Sequence, residues 1–155
     1  MRHLLAYGAI PLVLAASLAC SGTPADPIEE LRVELEEAAE ARDVERFGER
    51  LSESFRGPRD LPRAEALATL RRYFAAYESV DLEIYGVAVD RDGTRAEVRC
   101  VVELAGRARR LGGLKGLLPP AAVYRFELGV AEEVGVWRVQ RAAWEPVSPE
   151  TGSGQ

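Results

Sequence analysis

The 155-residue chain has a single histidine, His3, one lysine, Lys115, two cysteines and no asparagine. With so few of these residues, several chemistries are excluded at once. A histidine at position 3, inside an apolar leader, cannot serve a folded site, so Ser-His-Asp and Cys-His nucleophile systems, imidazole general acid-base catalysis and imidazole metal ligands are all absent. Two cysteines make no disulfide framework. No cofactor or metal is expected. Positive charge is also in deficit, with 20 basic against 25 acidic side chains. A nucleic-acid partner is therefore excluded, because phosphate binding needs a basic footprint. The apolar fraction of 47% is too high for a disordered chain and suits one globular domain.

The start, MRHLLAYGAIPLVLAASLAC, has a basic tip (Arg2, His3) and an apolar run from Leu4 to Leu18 that is short for a bilayer span. This is the pattern of an export signal, which does not belong to the fold. Its end, Ser17-Leu18-Ala19-Cys20, resembles the bacterial lipobox, with Ser17 where leucine is commoner. The resemblance implies cleavage before Cys20 and diacylglyceryl modification of its thiol, making the membrane the first partner. An ordinary secretory signal cut after Ala19 is the alternative. With Ser21 in place of Asp, the same resemblance implies an outer-membrane lipoprotein facing the periplasm. Residues 20–26 then form the lipidated end and its linker, and residues 147–155 read as a polar tail. Removal of residues 1–19 takes Arg2 from the basic total, leaving acidic residues in excess by six.

Asp26-Pro27-Ile28-Glu29 is a helix start, with an aspartate cap and proline in the first turn. Ile28, Leu31, Leu35 and Ala38 then recur at helical spacing, and glutamates (29, 30, 34, 36, 37, 40) fill a solvated face or a weak partner surface. Asp43 caps a second helix carrying Val44, Phe47 and Leu51 to near Phe55. A third begins after Asp60 and carries Leu67, Leu70, Phe74 and Tyr77 to near Ser79. The pattern then changes to period 2, predicting strands over 80–89, 95–104, 121–130 and 136–144, with turns at 90–93 and 131–135.

Helices followed by an antiparallel sheet of about four strands predict an α+β domain over 27–146, with the three helices in the concave face of a curved sheet. The order of elements and the ending YRFEL…VWRVQRAAW resemble the nuclear transport factor 2-like superfamily, also called SnoaL-like or cystatin-like α+β rolls. That resemblance implies a cone-shaped cavity between sheet and helices, in a superfamily holding isomerases, dehydratases, cyclases and non-catalytic binding modules.

On the second strand Ala96, Val98, Cys100, Val102 and Leu104 share one face; on the third, Ala122, Tyr124, Phe126, Leu128 and Val130 do. These faces predict a cavity wall without carboxylates, poorly equipped for proton transfer. Tyr73, Tyr77 and Tyr124 are candidate ligand-binding residues, or core tyrosines with hydroxyls at the rim. Alternation from Trp137 predicts Arg141 as the charged group facing the cavity, either orienting an anion or reaching solvent past Ala143. Cys100 reads as an inert core thiol. The stretch 106–120 places Arg107, Arg109, Arg110 and Lys115 among leucines, as a lid or a patch for lipid headgroups or an acidic partner, or as a plain crossover. The resulting expectation is an envelope binding or accessory module for a small apolar ligand or an envelope protein, with no catalytic residue assigned. The alternative is a cavity enzyme of the isomerase or dehydratase type. A homodimer through the charged outer sheet face would require matched charge pairs.

Overall fold

The computed structural model describes residues 25–108 and 122–147. Helix α1 (Pro27–Glu40) starts where the sequence predicts, with the Asp26 carboxylate accepting from the Ile28 amide at 2.9 Å. It ends in a Schellman arrangement: the Arg42 and Asp43 amides donate to the carbonyls of Ala39 and Ala38, with Arg42 left-handed at φ 56°. Asp43 then caps α2 (Val44–Glu49), accepting from the Arg46 amide.

The second helix stops well short of Phe55. Leu51–Arg56 is instead a strand, β1, running parallel to the last strand of the sheet. Val44, Phe47, Leu51 and Phe55 do fit a helical stripe, but the Arg50 carbonyl accepts from the Val139 amide, and edge pairing takes the segment out of the helix. Buried Ser52 stabilises the extended form by accepting from the Ser54 amide at 3.2 Å. After a short 3-10 turn (Pro58–Asp60), α3 (Arg63–Ala76) follows Pro62 without a side-chain cap and ends before Tyr77, which opens the next strand instead of closing the helix near Ser79.

Strands β2 (Tyr77–Asp92), β3 (Arg95–Ala108), β4 (Ala122–Glu133) and β5 (Val136–Pro146) complete a five-stranded sheet in the order β1-β5-β4-β3-β2. The sheet is thus one strand larger than expected, and β2 and β3 run further than the sequence suggests. Strand β3 carries Arg107 inside the sheet instead of in a loop. Two-residue turns at Gly93-Thr94 and Val134-Gly135 join the hairpins, with Gly93, Val134 and Gly135 all at positive φ.

The sheet curls over the helices. Strands β2 and β5 are three positions apart, roughly 14 Å in a flat sheet. Yet Arg91 of β2 lies 5.4 Å from the ring centre of Trp137 of β5 and donates to Asp26 of the α1 cap at 2.6 Å. Two apolar clusters form the core. One joins Ile28 and Leu31 to Val98, Val130 and Val139, and the other joins Ala39 and Val44 to Phe74, Tyr77 and Val80.

Candidate functional site: an apolar cavity under the curled sheet

Between α1, α3 and the concave sheet lies a cavity of about 770 Å³. It falls within the roughly 300–1,000 Å³ typical of small-molecule sites. The predicted inner faces do line it: Val98, Cys100, Val102 and Leu104 from β3, and Tyr124, Phe126, Leu128 and Val130 from β4. Strand β2 contributes Leu82 and Ile84. A bulge at Gly86-Val87, where two residues oppose Cys100, then re-aims Val87 and Val89 into the cavity. Gly86, at φ 63°, makes that bulge possible.

A second bulge decides what β5 presents. Val139 pairs with Val130, but the next pair is Arg141 with Gly129, leaving Gln140 as the extra residue. Parity reverses there. Val139 and Ala142 both line the cavity, Arg141 turns outward to Glu97, and Trp144 turns in. The sequence-based placement of Arg141 in the cavity is therefore corrected: its guanidinium belongs to the charged outer face. Trp144 was missed by the same error. The available signal was the arginine itself, whose charge breaks the apolar alternation at the point of the bulge.

Trp144 stacks on Phe126 with ring centres 5.7 Å apart, and Phe126 meets Tyr124 edge-on at 6.4 Å. These three rings make a row along one wall, with Trp144 40% exposed. Tyr73 from α3, Tyr77 from the start of β2 and Tyr124 from β4 all line the cavity. The Tyr73 and Tyr77 rings lie 4.6 Å apart. Burial, and secondarily a hydrogen bond shared with Tyr77, push the Tyr73 phenol far above its ordinary pKa, so it stays a neutral hydrogen-bonding group. Gly106 permits the close approach behind Tyr77: a Cβ there would sit 2.7 Å from the Ser79 carbonyl oxygen and 2.8 Å from the Tyr77 ring.

The expectation of a cavity free of carboxylates holds for the sheet but not for α1. Asp26, Glu29, Arg32 and Glu36 also line the space. All three Arg32 nitrogens are engaged: Nε and Nη2 donate to Glu29 at 2.9 and 2.6 Å, and Nη1 donates to Glu36. Asp26 is held by Arg91. The Ile28 amide and then Arg91 depress the Asp26 pKa, as Arg32 depresses that of Glu29. Burial raises the Cys100 thiol pKa, opposed by the nearby Arg32 guanidinium. Among the described residues no group of three His, Cys, Asp or Glu side chains gathers to hold a metal.

Of the basic stretch, Arg107 is exposed and lies 3.9 Å from Glu78. Arg109, Arg110 and Lys115 lie outside the described residues, as does Cys20. The outer sheet face carries cross-strand ion pairs, Glu97 with Arg141 and Arg125 with Glu145, both at 2.9 Å. No helix among the described residues is long and apolar enough to cross a membrane.

No family model matches the chain, and no curated protein does. Solved structures do. A protein of Novosphingobium aromaticivorans DSM 12444, provisionally assigned as a scytalone dehydratase, superposes with a TM-score of 0.67 at 16% identity, over 79% of this chain and 83% of its own. A provisionally assigned dehydratase of the nuclear transport factor 2-like family from Streptomyces avermitilis gives 0.65 at 16% identity, over 79% and 96%. An uncharacterised Caulobacter vibrioides protein with a cystatin-like fold gives 0.64 at 18%, over 83% and 93%. The helix order, the curled sheet and these superpositions agree that the chain has the cystatin-like α+β fold of the nuclear transport factor 2-like proteins.

Proposed function

We propose that the chain is a lipid-anchored envelope binding module whose cavity takes a small apolar ligand. The observation that carries this reading is the cavity itself, large and walled by aliphatic and aromatic side chains, in which the carboxylates of Asp26, Glu29 and Glu36 are each committed to an arginine. A binding site needs only shape and a few polar groups, which the tyrosines supply. Anchoring rests on Cys20. Two or more acyl chains, at about 0.8 kcal/mol per buried methylene, hold a protein stably at a bilayer. The export signal and lipobox-like end support placement at the periplasmic face of the outer membrane.

The competing reading is a cavity enzyme of the isomerase or dehydratase type, favoured by the convergence of Tyr73, Tyr77 and Tyr124 and by the dehydratase assignments of two structural neighbours. General acid-base chemistry needs a group free to take the proton. The cavity carboxylates are paired, and the only histidine is His3.

Native mass spectrometry of the whole protein, released gently from its source membrane, tests the proposal. A retained small molecule on the chain, lost when Val102→Trp fills the cavity, is the expected result. Ligand-free protein, or turnover of ketone or hydroxy-acid substrates abolished by Tyr124→Phe, would overturn it. Cys20→Ser is expected to move the protein from the membrane to the soluble fraction; unchanged fractionation would remove the lipid anchor.

A further inference from the structure

We infer that the cavity selects an uncharged, flat, conjugated ligand lying along the Tyr124–Phe126–Trp144 row and excludes amphiphiles with an anionic head. This rests on the reading that the cavity binds a ligand and narrows its chemistry. Two features of the walls lead to it.

The first is the row of rings. Phe126 and Trp144 stack at an interplanar angle of 29°, and Tyr124 extends the row along the same wall. Trp144 keeps 40% of its surface accessible despite lining the cavity. An accessible indole face beside a stacked phenyl ring rewards a planar π-system over a flexible alkyl chain, since offset stacking adds about 0.5–1.5 kcal/mol beyond area burial. The second is charge. Among the described residues Arg32 is the one basic residue lining the cavity, and each of its three nitrogens already donates to Glu29 or Glu36. The three groups together carry an excess negative charge. Arg32 is near enough to act on the Cys100 thiol, and Cys100 pairs across the strands with Phe126, so the acidic excess borders the same space as the rings. A carboxylate or sulfonate entering there would face repulsion, with no uncommitted cation among the described lining residues to meet it.

Two probes with one aromatic body separate the possibilities: N-phenyl-1-naphthylamine, which is neutral, and 8-anilinonaphthalene-1-sulfonate, the same skeleton with an anionic group. Binding is measured by fluorescence on the whole chain carrying Cys20→Ser, so that no acyl chain competes. The neutral probe is expected to bind at least about tenfold more tightly than the sulfonate. The double variant Glu29→Gln/Glu36→Gln frees Arg32 and is expected to raise sulfonate affinity about tenfold or more, with neutral-probe affinity held within about twofold. Trp144→Leu is expected to weaken the neutral probe about three- to tenfold. Equal or tighter sulfonate binding, or no response to either variant, overturns this inference alone. If neither probe binds, the cavity-binding reading falls with it.

Discussion

The Arg141 guanidinium donates from one nitrogen to both carboxylate oxygens of Glu97, at 2.9 and 3.1 Å, on the outer face of the sheet. This pair exists because Gln140 bulges out of β5 and reverses the alternation of every residue after it. The same bulge seats Trp144 against Phe126 in the cavity. One inserted residue therefore exchanges a charged side chain for an indole at the candidate site, and a positive cavity becomes an aromatic one.

Arg141→Ala is expected to cost less than about 1 kcal/mol of stability, because both partners are more than half exposed and solvent screens the pair. It should leave binding of a neutral aromatic probe unchanged. A urea titration and a fluorescence titration check the two halves. Loss of probe binding with Arg141→Ala would show that the arginine, and not the indole, serves the cavity.

What was legible in the sequence follows from how local its causes are. The Asp26 and Asp43 caps, the inner faces of β3 and β4 and the cavity positions of Tyr73 and Tyr124 depend on near neighbours and on regular alternation, and each is where periodicity puts it, whereas Tyr77, read as the end of the third helix, opens β2. Strand β1 was hidden because Leu51 and Phe55 at i, i+4 mimic a helix, and only β5, more than eighty residues away, makes the segment a strand. The two bulges were hidden because a period-2 reading carries parity straight through them. Arg32 was hidden among glutamates: a charged helix stripe looks solvated until the curl of the sheet sets its flank against a cavity.

Val134 occupies the first position of the β4–β5 turn at φ 52°, fully exposed, a conformation that a β-branched residue adopts at a cost of about 1–2 kcal/mol. Val134→Asn, giving the Asn-Gly pair such turns favour, is expected to stabilise the protein by about 1 kcal/mol. The midpoint of thermal or urea unfolding should rise with no change in denaturant slope. An unchanged or lowered midpoint would mean that the valine is supported in some other way.

Acidification should destabilise the fold in a defined window. The carboxyl pKa values of Asp26, Glu29 and Glu133 are all lowered, the first mainly by the Ile28 amide, the second by Arg32 and the third by the Gln140 side chain. In the range between their native and unfolded pKa values, the unfolded chain binds more protons than the native one, so stability rises with pH there. Their contribution is thus complete above the ordinary carboxyl range and is lost as pH falls through their lowered native pKa values. Urea midpoints at pH 7, 5, 4 and 3 should hold between the first two and drop across the last two. Glu133→Gln should flatten that drop while lowering the plateau, because Gln140 and Ser52 both hydrogen-bond the carboxylate. A flat profile down to pH 3 would contradict the assignment.

Gly106 tests whether the tyrosine end of the cavity is held by backbone fit. A methyl group at this position would meet the Ser79 carbonyl oxygen at 2.7 Å and the Tyr77 ring at 2.8 Å. The ring can yield, but the carbonyl lies in strand β2, whose pairing with β3 is fixed by residues on either side, Val80 with Gly106 and Ser79 with Arg107. Overpacking of this kind typically costs about 1–3 kcal/mol. Gly106→Ala is therefore expected to lower the urea midpoint and to displace Tyr77 from Tyr73, shifting tyrosine fluorescence and weakening any ligand that uses those hydroxyls. Tyr77→Phe removes the hydroxyl without crowding the strand and should leave stability within about 1 kcal/mol. If Gly106→Ala proves as mild as Tyr77→Phe, the two strands have slack at this end, and the close approach plays no part in positioning the phenols.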